Sequence, residues 1–171
     1  MQTWEAIRSR RNVREFTDEP IPDDHLDEIL ESGRRAPSSQ NWQPWDFVVV
    51  RHRGQLVELS HVWRGAGHVA RAAVAIALVA RVPADDMERN RLQYDLGQAT
   101  MSMMLAATSL GIGSGHSAVR DQDLARLLLG FPEDRFCAYL ISLGYPAGRP
   151  LTLIRNPDRR PFNEVVHRDR W

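Results

Sequence analysis

The chain's 171 residues are 43% hydrophobic and 26% charged, enough to build one buried core without disulfides or a structural metal, and the single cysteine, Cys137, could supply neither a disulfide framework nor a cysteine-rich zinc site. Acidic and basic residues balance at 22 each, so no global positive field favours nucleic acid. Every basic residue is arginine, which excludes lysine Schiff bases and P-loops.

Met1 to Arg11 is amphipathic and charged, unlike a secretory signal, so a cytoplasmic protein is expected. Trp4 and Ile7 suggest a short opening helix ending near Arg8. A second helix starts at Pro22-Asp23-Asp24, with proline at its first turn and two acids at the positive end of its dipole. Leu26, Ile29 and Leu30 keep helical spacing, and Gly33 followed by Pro37 should stop it. Trp45 to Arg51 and Ala73 to Arg81 read as buried strands, with a broken helical stretch from Gly54 to His68 between them. Asp85 to Leu110 reads as one long helix, acidic at its start and ended by Gly111. Its uncharged continuation, Leu96 to Val119, holds too many polar residues and glycines for a lipid span and fits a helix buried inside protein. Gly113 to Val119 is a strand or extended loop, Asp121 to Leu129 a helix, and Phe136 to Leu143 a central strand. This alternation predicts α/β or α+β layers in a single domain, with no repeats. The proline- and arginine-rich tail from Gly144 carries little periodicity and would be ordered only by packing, plausibly on a second subunit.

Two clusters stand out chemically. Arg8-Ser9-Arg10-Arg11-Asn12-Val13-Arg14 places four arginines in seven residues with no acid until Glu15. That suits a phosphate or carboxylate, although a basic surface would read the same way. Ala36-Pro37-Ser38-Ser39-Gln40-Asn41-Trp42-Gln43-Pro44-Trp45 sets hydroxyls and amides between prolines and tryptophans just before a strand. Such a loop can line the heteroatom edge of a flat ring, or simply satisfy its own backbone.

Taken together, Arg10-Arg11-Asn12-Val13-Arg14-Glu15-Phe16, the Ala36 to Trp45 segment, Gly111-Ile112-Gly113 and the closing Arg159-Arg160-Pro161 resemble the FMN-dependent nitroreductase family, in order and interval, across essentially the whole chain. The resemblance implies an α+β fold, a mixed sheet flanked by helices, and an intertwined homodimer with FMN at its interface. It implies that Arg10 and Arg11 reach the FMN phosphate and ribityl chain beside Asn12, which stands where the family usually has serine. Arg14 would lie at the pyrimidine edge near N1. Pro37, Ser38, Ser39 and Asn41 would approach the same flavin from the other subunit, Arg159 or Arg160 would close the phosphate site from the tail, and His116 and Ser117 would pass the flavin ring.

The implied activity moves hydride from NADH or NADPH through FMN to a small-molecule acceptor such as a nitroaromatic or quinone. No side-chain nucleophile is needed, and no nucleic acid or membrane partner is expected. Flavin cleavage, reductive dehalogenation, or flavin binding with little turnover are the alternatives on the same fold. Two departures from the family matter. Only Val82 to Glu88 separates the second strand from the long helix, where many members insert a helical lid. Arg64, Gly67 and His68 stand where members often carry a lysine or asparagine near the flavin. Met101, Met103 and Met104 read as core or dimer packing, and Cys137 as an inert buried thiol.

Overall fold

The computed structural model describes residues 2–171. Helix α1 (Thr3–Ser9) opens the chain, with the backbone N–H of Gln2 donating to the Glu5 carboxylate at 3.1 Å in a capping box. Helix α2 (Asp23–Arg34) follows, its first turn carrying Asp23 and Asp24 and its inner face Leu26 and Ile29. Gly33 does not stop this helix. A Cβ there would meet the Met103 side chain at 2.7 Å, so the glycine lets α2 and the long helix approach closely, and the helix ends one residue later.

Strands β1 (Asp46–Val50), β2 (Val74–Arg81), β3 (Gly113–Ala118) and β4 (Arg135–Gly144) form one sheet in the order β1-β2-β4-β3. All three strand pairings are antiparallel, and the sheet's parallel element is a single bridge between Asn12 and Ser114. Interior β2 is buried on both faces except at Arg81, which explains its unbroken apolar run. The helical stretch over 54–68 is broken as expected, but its regular helix ends earlier, before the later glycines. Helix α3 (Arg53–Leu59) passes into a 3-10 turn at Ser60–Val62, and a second 3-10 turn spans Gly67–Arg71.

The long helix α4 (Asp86–Ser109) is capped by Asp85, whose carboxylate accepts from the Glu88 N–H at 2.7 Å. It begins five residues after β2 ends, with no inserted lid. With α2 it covers one face of the sheet, burying Ile76, Leu78, Ile141 and Leu143 against Ile29, Leu96 and Met103. Helices α3 and α5 (Gln122–Leu129) cover the other, burying Ala75, Ala77, Val79 and Leu140 against Leu56, Leu59 and Ala125. The tail runs back along α1, where the Ile154 N–H donates to the Arg8 carbonyl at 3.0 Å, then forms a short exposed helix α6 (Phe162–Val165). Among the described residues no helix is long and apolar enough to cross a membrane.

Candidate functional site

The arginine cluster leaves α1 as an extended segment. The Arg10 N–H closes the helix on the Ala6 carbonyl at 2.9 Å, and the Val13 N–H then donates to the Ser114 carbonyl at 2.8 Å, laying the segment along the edge of β3. Val13 anchors it by packing with Phe16 and Ala72. Two glycines of β3 make that approach possible. A Cβ on Gly113 would meet the Val13 side chain at 2.8 Å, and one on Gly115 would meet the Val13 carbonyl oxygen at 2.5 Å. The glycines therefore have a steric role, and larger side chains would push the arginines off the sheet.

The segment separates its side chains between two clefts of about 280 Å³ each that share Asn12 as a wall. Arg10 and Asn12 face one, with Gly97, Thr100 and Met101 of α4 and His116 of β3. Arg11 and Arg14 face the other, with Arg149 from the tail. Arg10 Nη1 donates to Asn12 Oδ1 at 3.3 Å, which orients the guanidinium, and Arg11 donates to the Arg149 carbonyl. The first cleft contains a guanidinium, two amides, a phenol, an imidazole and no carboxylate. Thr100 is among its lining residues, with its Oγ1 buried and without a hydrogen-bond partner, and in the other cleft Arg11 Nε is likewise unsatisfied. Such a donor set fits a flat anionic group rich in acceptor atoms.

Burial lowers the His116 pKa from its ordinary value, and the nearby Arg10 and Arg14 charges lower it further. The imidazole is consequently neutral at pH 7 and offers a hydrogen bond rather than a charge. His68 is buried and lowered by the same kind of environment, by burial first, then Arg14, then His116. Its Nδ1 lies 2.8 Å from Ser142 Oγ, which in turn donates to the Gly115 carbonyl at 3.2 Å, so His68 and Ser142 brace β3 from behind.

His116 and Ser117 do not share this cleft as side chains. His116 pairs with Ile141 on the face covered by α4, whereas Ser117 pairs with Leu140 on the opposite face, where its hydroxyl is buried without a partner. Strand alternation decides this, and only the backbone of Ser117 remains near the His116 side.

Pro37, Ser38, Ser39 and Asn41 line neither cleft. Their loop is held to α4 through Ser39, whose N–H donates to both carboxylate oxygens of Asp95 at 3.1 and 3.0 Å and whose hydroxyl donates to Oδ1 at 3.2 Å. Gln40 (φ 52), Asn41 (φ 59) and Gln43 (φ 50) all adopt left-handed backbone, a cost on the order of 1 kcal/mol each. Arg159 and Arg160 also stand outside both clefts, exposed on the tail, where Arg160 Nη2 donates to the Glu164 carbonyl at 3.0 Å.

Sequence reasoning missed Thr100, Tyr139, Arg149 and Asp95. Asp95 carried a legible signal as the last charge before the long uncharged stretch of the central helix; the other three lacked one, because their roles arise only from packing. Of the three methionines, Met103 and Met104 are core, while Met101 is 44% exposed; Met101 and Met104 both line the first cleft.

A model of the nitroreductase family matches residues 7–145. A relative from Archaeoglobus fulgidus, whose name joins NADH dehydrogenase with NAD(P)H nitroreductase, is 34% identical over 170 residues, covering 96% of each chain. Among solved structures, the NADPH:FMN oxidoreductase of Vibrio harveyi, complexed with NAD+, superposes with a TM-score of 0.85 at 27% identity, over 99% of this chain and 77% of its own. An FMN-dependent nitroreductase of Clostridium difficile R20291 superposes with a TM-score of 0.83 at 25% identity, over 98% of this chain and 99% of its own.

Proposed function

The chain belongs to the nitroreductase family, and on that premise we propose that it is a homodimeric NAD(P)H-dependent flavin oxidoreductase that holds FMN and reduces a small-molecule acceptor such as a nitroaromatic or quinone. The observation that carries this reading is the pair of clefts meeting at Asn12, in which arginines and amides converge around a cavity whose first half contains no acid. Relatives named for FMN reductase and NADPH-flavin oxidoreductase activity, 26% and 28% identical over nearly all of this chain, support the same chemistry.

FMN, when bound, supplies reversible redox chemistry between a nicotinamide and an acceptor; the side chains bind and orient. Arg10 and Arg11, on either side of Asn12, would hold the phosphate and ribityl oxygens through charge-assisted hydrogen bonds. Arg14 would bring a fixed positive charge to the pyrimidine edge and so favour an anionic ring. His116, neutral at pH 7, would offer its ring N–H without adding charge, and Ser117 would contribute through its backbone alone.

Two further features support a dimer. Met87, Tyr94 and Met101 recur every seven residues along the outer side of α4 and stay exposed, Tyr94 at 70%, and Trp4 and Ile7 of α1, a helix that touches α4, are exposed as well. Exposed apolar side chains gathered on one side of a helix mark a surface that is covered by a partner. The loop carrying Pro37, Ser38, Ser39 and Asn41, and the arginines Arg159 and Arg160, have no cleft of their own to serve, so they complete the site of the partner subunit. With no lid between β2 and α4, the acceptor pocket is either open or roofed by the partner subunit.

Purified protein should be yellow, elute at twice the chain mass, and release FMN on denaturation. Anaerobic addition of NADH or NADPH should bleach the flavin within seconds. Colourless monomer that ignores added FMN would end the reading, and flavin that stays yellow with both nicotinamides would leave a binding protein instead of a reductase.

A further inference from the structure

Asp95 lies mid-helix in α4 and is 1% exposed, facing inward between Leu92 and Ala99 of the core. Among the described residues no arginine or histidine comes within ion-pair distance of it. This is a locally unfavourable choice twice over, because aspartate is a weak helix former and burial strips a carboxylate of its hydration. Three of the hydrogen bonds that compensate it come from one residue, Ser39, 56 positions earlier in the chain; the fourth, from Gln98 Nε2, is long at 3.5 Å.

Ser39 begins the loop with the three left-handed residues. The loop's other hydrogen bonds are internal: the Gln43 N–H donates to Ser38 Oγ at 2.9 Å, and the Asn41 and Trp42 N–H groups donate to the Ser38 and Ser39 carbonyls at 3.0 Å. Internal bonds shape the loop but do not fix where it sits. Two contacts do so, both from neighbouring turns of α4: the Asp95 carboxylate on Ser39, and the Arg91 guanidinium 4.7 Å over the Trp42 ring. A carboxylate suits the first contact better than a neutral side chain, since it offers two acceptor oxygens to one N–H and one O–H and brings no donor to compete. Unfavourable local choices that coincide at one contact between distant segments mark a place where geometry is being held for a purpose.

We propose that Asp95 is a positioning residue, its buried carboxylate holding the Ser38–Gln43 loop in the shape that meets the flavin across the subunit boundary. The inference rests on the reading that this loop serves the partner's FMN. It adds that the loop's placement is set from inside its own subunit, by a helix that also lines that subunit's own cleft through Gly97, Thr100 and Met101. One rigid element, α4, thereby ties the two sites of the dimer to each other.

The test uses D95N, which keeps the volume but turns one acceptor into a donor facing Ser39, and S39A, which removes only the hydroxyl bond. Hydrogen exchange on the FMN-free protein should quicken at least about 10-fold over residues 36–45 in D95N while the core of α4 stays protected. FMN titration should show a dissociation constant about 10- to 100-fold weaker in D95N, equivalent to about 1.4 to 2.7 kcal/mol, and about 3- to 10-fold weaker in S39A. Exchange that quickens along the whole of α4, with a melting temperature that drops in step, would make Asp95 a general stability residue and overturn the proposal. A loosened loop with unchanged FMN affinity would overturn it as well, by showing that the loop does not position the flavin. If D95N does not fold, the two readings on S39A decide. Wild-type protein that takes up no FMN would instead sink the cofactor reading and the flavin half of this inference with it, while exchange on the FMN-free variants still decides whether Asp95 holds the loop.

Discussion

Replacing Arg10 by alanine tests the cofactor site where the geometry is best defined. Arg10 caps α1, is half-buried, and has its guanidinium oriented by Asn12 at 3.3 Å, so little rotamer freedom remains to be lost when a phosphate arrives. A charge-assisted hydrogen bond contributes about 1.5 to 3 kcal/mol. The open side of the cleft argues for the lower half of that range, giving about a 10- to 50-fold rise in the FMN dissociation constant. Arg10→Lys keeps the charge but loses the planar fork and the bond to Asn12, and should fall between the parent and the alanine variant. The assay is titration of FMN-free protein followed by quenching of flavin fluorescence. An internal control is available in His116: its pKa is lowered by burial first and by Arg10 next, so the alanine variant should raise it, as read from the imidazole signals by NMR. Affinity within twofold of the parent, with His116 shifted as expected, would show that the charge is where we describe it and that the phosphate is not.

Other outcomes follow from the same structure. Gly115→Ala places a methyl 2.5 Å from the backbone oxygen of Val13, which cannot rotate away; the variant should lose about 1 to 3 kcal/mol in urea unfolding and shed FMN as the arginine segment lifts. The pKa of His68 in the fold lies below 6.5, its unfolded value, so above that pH the group is neutral in both states and has no effect. As pH falls through 6.5 the unfolded chain takes up a proton that the folded chain resists, and stability declines; melting curves from pH 8 to 5 should show this slope flattened in His68→Gln. The Cys137 thiol, pushed up to about 12 by burial, should resist alkylation at pH 8 until the protein is unfolded, and rapid labelling of native protein would contradict its burial.

Much of the fold was legible because its signals are short-range. Pro22-Asp23-Asp24 opens α2, Asp85 caps α4 through Glu88, and the apolar runs of β2 and β4 match strands covered on both faces. The arginine cluster was equally visible, since four guanidiniums in seven residues are a property of composition. Gly33 was misread as a helix stop because its reason lies in Met103, on another helix.

The order of elements, their caps and the presence of an arginine-rich segment were therefore determined by the sequence alone, through interactions that reach no further than one helical turn or one strand step. Tertiary structure decided which of those residues meet. Strand register sends His116 toward α4 and Ser117 away from it; the edge of β3 divides Arg10 from Arg11; and packing of the loop on α4 brings Ser39 to Asp95 across 56 positions. A contact between distant segments depends on the placement of every element between them, and local periodicity does not encode that placement.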